Sequence, residues 1–189
     1  MPPPETILKN SVIEFPQRPR WATIAGSVRG ILGTIPAAAY TCDASGQITY
    51  FNSMAEAIWG RAPRLRDAGE RYCGSHQLYS TDGARIRHKE CWMALTLLQG
   101  RPYHGHAIVI ERRDGTRTVG KAHAHPLRND QSQIVGALNL VADITELSGA
   151  APGHSKLHHA SRAYSATMTM IDIAISVLTS IKWKNSTFD

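Results

Sequence analysis

Two cysteines and two histidines recur at C-x2-H-x11-H-x2-C spacing in the stretch CGSHQLYSTDGARIRHKEC: Cys73, His76, His88 and Cys91. Thiolates and imidazoles are the donors of a tetrahedral zinc site, with sulfur at about 2.3 Å and nitrogen at about 2.1 Å from the metal. The loop between the two pairs is long enough to bring them together. The pair order, however, is not that of an ordinary zinc finger. The plainer role for the same residues is two small buried hydrophobes, Cys73 and Cys91, beside hydrogen-bonded or exposed imidazoles. A second group follows: His104, His106, His123 and His125. Strand alternation puts the first two on one face of one strand and the last two on one face of the next. Such a set could form a transition-metal or pH-sensing patch. The more ordinary expectation is an exposed, histidine-rich sheet face.

These side chains need a fold to hold them. The chain has 189 residues, 42% hydrophobic and 19% charged, which suits one globular domain with flanking segments. The net charge is +6, but the arginines are scattered and acidic residues such as Asp67, Glu70, Glu111 and Asp114 sit among them. No basic stripe interleaved with aromatics is present, so a nucleic-acid partner is not expected. Three cysteines without a C-x-x-C pair suit a reducing compartment, and a cytoplasmic location is expected. The first twenty residues lack the apolar core of a signal peptide. The longest apolar run, ATMTMIDIAISVLTSI, is short and contains Asp172, so no membrane span is expected.

Residues 1–20 are proline-punctuated and read as an irregular leader. Over residues 21–35, Ala22, Ala25, Val28, Ile31, Leu32 and Ile35 fall three or four apart, the pattern of an amphipathic helix ending before Pro36. Gly26, Gly30 and Gly33 lie inside that pattern and so do not form a phosphate loop. AAAYTCDASGQITYFN is a hairpin around Asp43-Ala44-Ser45-Gly46. Asn52 and Ser53 cap a helix, with Glu56 placed for a capping box and Gly60 at its end. The cysteine–histidine stretch reads as loop, and CWMALTLLQG as a further helix. A hairpin around Asp114-Gly115, a turn at NDQSQ and the strand IVGALNLVADITEL complete the domain. The order predicts an α+β fold: one antiparallel sheet of five strands with helices over one face.

Residues 148–156 form a linker. Beyond it, a helix over residues 157–184 carries a heptad-like stripe: Leu157, Ala160, Tyr164, Thr167, Ile171, Ala174, Leu178 and Ile181. A polar tail, residues 185–189, closes the sequence, with fraying expected from Trp183 onward.

The run from Ile31 to Leu147 resembles a PAS domain, the sensory input module of bacterial sensor histidine kinases and other signal-transduction proteins. IPAAAYTCDASGQITYFNSMAEAIWGR matches the opening hairpin and helix, ERRDGTR the next hairpin, and PLRNDQSQIVGALNLVADITE the last turn and strand. The last strand ends in the Asp-Ile-Thr signature at Asp143, Ile144 and Thr145. The resemblance implies a sensory domain over residues 36–147 with strand order 2-1-5-4-3. It also implies a ligand cleft between sheet and helices, and a relay through Asp143, Ile144 and Thr145 into the helix that follows.

Candidate cleft residues are Tyr40, Tyr50, Asn52, Trp59, Trp92 and Met93, with the cysteine–histidine stretch as lid. No zinc is expected, and Cys73, His76, His88 and Cys91 remain the candidates should a metal bind. The sequence does not name a cofactor. Some PAS domains hold haem through a histidine, but none here matches such a position. The Asn-Cys-Arg-Phe-Leu-Gln motif of flavin-binding light sensors is absent. Neither a His-Glu-x-x-x-Pro box nor an ATP-binding domain follows, so no catalytic residue is expected. The partners implied are a second copy, joined through helix 21–35 with help from the helix after Pro152, a sensor-kinase output domain or response partner, and a small-molecule ligand. The alternatives are a metal- or haem-binding protein using these Cys and His residues, and an interaction scaffold without a ligand.

Overall fold

The computed structural model describes residues 28–148 and 154–183, with residues 154–160 as helix backbone only. The expected leader, residues 21–27 of the expected first helix, residues 149–153 of the expected linker and residues 184–189 lie outside the described residues. Helix α1 covers residues 28–34. Strands β1 (Ala38–Asp43) and β2 (Ile48–Phe51) form a hairpin, and helix α2 (Ser53–Trp59) follows. Short strands β3 (Gln77–Tyr79) and β4 (Arg85–Ile86) and a 3-10 turn (His88–Glu90) lead to helix α3 (Trp92–Gln99). Three long strands come next: β5 (Tyr103–Glu111), β6 (Arg117–Arg128) and β7 (Ile134–Asp143). A one-turn helix α4 (Thr145–Ser148) and the long α5 (His154–Ser180) end the order.

All strands among the described residues join one antiparallel sheet in the order β2-β1-β7-β6-β5-β3-β4. Its first five members reproduce the expected 2-1-5-4-3 order. The sheet has seven strands rather than five because part of the loop-like cysteine–histidine stretch pairs at the β5 edge. Leu78 lies opposite Ile86 across the Asp82-Gly83 turn and opposite Ile110 on β5. Burying Leu78 against these neighbours gives the short hairpin a reason to form.

Both sheet faces are covered, not one. On the inner face Tyr40, Cys42, Ile108, Ala122 and Val141 pack beneath Ala55, Ile58 and Trp59 of α2 and Met93 and Ala94 of α3. On the outer face Leu127, Leu138, Leu140 and Ala142 pack beneath Val28 and Leu32 of α1 and Ile171, Ala174 and Leu178 of α5. Ile171, Ala174 and Leu178 of the expected stripe on α5 therefore pack on the chain's own sheet. Trp183 does not fray: it is 2% exposed, its ring Nε1 donates to Leu178 O at 2.9 Å, and its backbone N–H donates to Arg128 O at 3.0 Å. No helix among the described residues is long and apolar enough to cross a membrane.

Of three register shifts in the sheet, two re-aim side chains near the site. Thr41 pairs with Tyr50 and Cys42 with Ile48, so Thr49 is the extra residue and Ile48 and Tyr50 fall on opposite faces. His104 pairs with His123 and His106 with Ala122, so Gly105 is the extra residue on β5. Its φ of +68° is one that glycine adopts without steric cost.

Asn52 ties α1, β1 and α2 together. Its Nδ2 donates to Leu32 O at 2.8 Å and Ala37 O at 2.9 Å, and its Oδ1 accepts from Ala39 N at 3.0 Å and Ala55 N at 2.9 Å. The expected capping box with Glu56 is not made: Asn52 is the N-cap, which puts Ala55 rather than Glu56 at the third helical position, and the Asn52 N–H donates to Ala39 O. Asn52→Ala would strand four buried backbone groups, and we expect it to cost about 3 kcal/mol. Urea unfolding of the full chain measures this; a loss below about 1 kcal/mol would mean that water replaces the amide.

Candidate functional site

The inner face, α2 and α3 enclose a cleft. Tyr40 and Trp59 meet edge to face at 5.0 Å, and Phe51 meets Trp59 at 5.9 Å. Gly74 keeps the chain tight against Trp59, since a Cβ there would lie 2.4 Å from the ring. What remains open is about 20 Å³, lined by Tyr40, Trp59, Cys73, Cys91, Trp92 and Asn139 among others. That is room for about one water. A porphyrin or isoalloxazine ring does not fit it.

Two polar atoms on this lining have no partner: Asn139 Oδ1 and Trp92 Nε1. The Asn139 Nδ2 donates to Tyr40 OH at 3.0 Å, which turns its oxygen away from the phenol. Of the six cleft residues expected from sequence, Tyr40, Trp59 and Trp92 line the opening. Met93 is buried in the same inner core. Tyr50 lies on the outer side because of the Thr49 bulge, with its hydroxyl 3.5 Å from Arg29 O. Asn52 is occupied as the cap of α2. Asn139 is a polar lining residue that sequence reasoning misses, as it does the apolar Leu78, Ile108, Ile110, Ala122 and Val141; one amide in the apolar run IVGALNLVAD is a signal, since a buried polar group needs a partner.

Cys73, His76, His88 and Cys91 are not gathered around one point. Cys73 and Cys91 are buried in the inner core, and His76 is exposed. Cys73 Sγ donates to Ser75 Oγ at 3.2 Å, and Ser75 Oγ pairs with His88 Nε2 at 3.1 Å. Among the described residues no group of three or more His, Cys, Asp or Glu is placed to hold a metal ion. Arg61 fastens the stretch on both sides of Cys73: its Nε donates to Gly74 O at 2.8 Å while its two outer nitrogens clasp Glu70 at 3.0 and 2.8 Å. Those bonds hold the Glu70 carboxyl below its usual range.

The four later histidines divide between the faces. His106 stacks on Trp92 with ring centroids 4.2 Å apart. His104 is exposed on the other side, 6.2 Å from His123 and 4.4 Å from His125. The expected exposed histidine face is absent at β6, because the outer layer buries His123 and His125 to 5% and 6% exposure.

At the end of β7, Asp143 Oδ1 accepts from Thr145 N at 2.9 Å and from Thr145 Oγ1 at 2.6 Å. Thr145 Oγ1 in turn accepts from Val119 N at 2.9 Å, and Ile144 N donates to Val119 O at 2.8 Å. The three residues thus bind the exit of β7 to the neighbouring strand. They border a groove of about 520 Å³, with Arg112 and Thr118 on one side and Tyr164 and Thr167 of α5 on the other.

With this geometry in place the family is clear. The family model described as PAS fold matches residues 32–149, and the chain belongs to that family. It contains a PAS domain, a signal-sensing module. Among solved structures, the LOV protein of Rhodobacter sphaeroides is 10% identical over 84% of each chain, with a TM-score of 0.50. The PAS domain of the fruit-fly ELK potassium channel is 17% identical over 66% of this chain and 96% of that one, with a TM-score of 0.48. The PAS domain of an HTR-like protein from Haloarcula marismortui is 18% identical over 66% of this chain and 95% of that one, with a TM-score of 0.43. At these identities the likeness is one of fold alone. No curated protein matches the chain.

The cleft is poor in nucleophiles despite its sulfur. Burial pushes the Cys91 thiol up to about 12 and raises Cys73 and Cys42, with thiol–thiol proximity adding to the rise at Cys91 and Cys42. Thiolate is the reactive form. We expect Cys42, Cys73 and Cys91 to resist a thiol-specific chromogenic reagent at about pH 8 and all three to react in concentrated guanidinium, as absorbance would record. Rapid labelling of the folded chain would contradict this.

Proposed function

We propose that the chain is a sensory input module whose inner cleft takes a small polar molecule and whose last strand relays the event to α5. The observation that carries the reading is the unpaired pair in the cleft, Asn139 Oδ1 and Trp92 Nε1. One accepts and the other donates, so a small ligand offering both functions, entering as the cleft widens beyond its present one-water volume, would satisfy two groups that are costly to leave bare. The relay runs along β7, which carries Asn139 inside and ends at Asp143, Ile144 and Thr145. Strain there would act on the bonds to Val119 and on the start of the output helix.

In this reading residues 36–147 are the sensor, 148–156 the linker and 157–184 the output element. Residues 1–20, 21–35 and 185–189 are the leader, first helix and tail. The module works in the cytoplasm as a homodimer beside a sensor-kinase output domain or another response partner. Support for self-association is the apolar groove between α1 and α5, lined by Ile31, Ile35, Met170, Ile173 and Val177. Ile173 is 59% exposed there. Exposed apolar patches of this kind favour a partner.

The small cavity volume favours a second reading, an interaction scaffold with a filled core. Native mass spectrometry of freshly purified chain separates the two. The sensor reading expects a non-covalent adduct that Asn139→Leu abolishes, and that Asp143→Ala with Thr145→Ala retains within a few-fold. A bare mass in every sample favours the scaffold. Sedimentation tests the dimer independently: Ile173→Glu should weaken self-association at least tenfold, and a wild-type chain that stays monomeric at high concentration would end that part of the reading.

A further inference from the structure

Strand β6 alternates small inward residues with larger outward ones, so Lys121, His123 and His125 share the outer face. Across the ladder His123 lies opposite Leu140 and His125 opposite Leu138. Both leucines belong to the outer core that α5 completes with Ile171, Ala174 and Leu178. The two imidazoles therefore lie in an apolar seam between sheet and helix. The Nε2 atom of each is buried without a partner. A neutral imidazole tolerates this position far better than an imidazolium, which would bring an uncompensated charge into it.

The groups facing the seam mostly oppose that charge. From β5 comes His104, in ring contact with both, while His106 adds a weaker opposing effect on His123 from the inner side of the sheet. From β6 comes Lys121, whose Nζ sits 5.7 Å over the Tyr164 ring of α5. Strand β7 contributes only leucines to these positions, and α1 places Arg29 over Tyr50 at the far side. Asp172 on α5 is the one group that favours a charged His123, and it is exposed.

We infer that the docking of α5 on the sheet is proton-gated: the helix closes over neutral His123 and His125, and acidification releases it while the inner core stays folded. Burial, reinforced by His104, lowers both imidazoles to about 4 in the docked state. Released into water they return to the ordinary value of about 6.5. Between those limits the released state binds more protons. Docking is therefore fully favoured above about pH 6.5, weakens as pH falls, and reaches its floor near pH 4. At about pH 5 each histidine shifts the equilibrium toward release by about tenfold or more. The gate does not require the inner cleft to bind anything, so it stands or falls apart from the ligand reading.

Hydrogen exchange of the full chain at about pH 7.5 and about pH 5, corrected for the chemical exchange rate at each pH, tests the gate. Peptides of α5 and Trp183 should lose protection at least tenfold at the lower pH while β1 and β7 keep theirs. The double variants His123→Leu with His125→Leu, and His123→Gln with His125→Gln, should keep α5 protected at both pH values. The first preserves an apolar seam and the second a polar one, so a folding defect in either leaves the other to decide. Unchanged α5 protection in the wild type would overturn the inference. So would loss of protection in the sheet together with the helix, or a pH response that persists in the variants.

Discussion

Burial of one strand on both faces governs the architecture. β7 has β1 on one side and β6 on the other, pairing from Ala38↔Val141 to Asp43↔Gly136 and from Gly120↔Asp143 to Arg128↔Ile134. Its backbone is screened from water and must find its hydrogen bonds in those two ladders. Its side chains serve two cores at once, Ala137 and Val141 inward, Leu138, Leu140 and Ala142 outward. Even Gly136 answers to this crowding: a Cβ there would stand 2.4 Å from Cys42 O. Helices can settle on either face only because this strand is apolar on both.

That double burial also explains what the sequence shows and what it hides. The apolar run from Ile134 announces a central strand, Asp43 to Gly46 and Asp114-Gly115 announce turns, and Asn52 with Gly60 brackets α2. These are local signals, each fixed by backbone geometry within a few residues. Side-chain direction is less local. One extra residue at Thr49 sends Tyr50 outward, and one at Gly105 separates His104 from His106. Alternation predicts a face only up to the next bulge. The Leu78–Ile86 hairpin escapes notice because its strands are two and three residues long and depend on the β5 edge.

The C-terminal helix illustrates a further ambiguity. Apolar residues three and four apart describe a coiled-coil seam and a helix lying on a sheet equally well. What decides is whether an apolar surface of matching width is already present, and the outer face of β6 and β7 supplies one. Arg128 then joins the layers at the sheet rim. Its guanidinium donates to Gly100 O behind α3 and to Ser132 O in the last turn, while its own carbonyl accepts from Trp183. The end of an inner helix and the end of the outer helix are thus held by one residue.

The pairing of β1 with β7 has a consequence for how the molecule is made. Tyr40 and Asn139, joined by a hydrogen bond, are 99 residues apart in the chain. During synthesis the first hairpin and α2 emerge long before the strand that covers them, with Ala39 and Tyr40 still open to water. At about 5–20 residues per second, that interval lasts roughly 5–20 s. The exposed edge of β1 during this time is a template for the wrong partner as well as the right one. The nascent chain is therefore most vulnerable to misassociation just before Asp143 clears the ribosome, and its yield should depend on translation speed through β5 and β6 more than on the stability of the finished sheet.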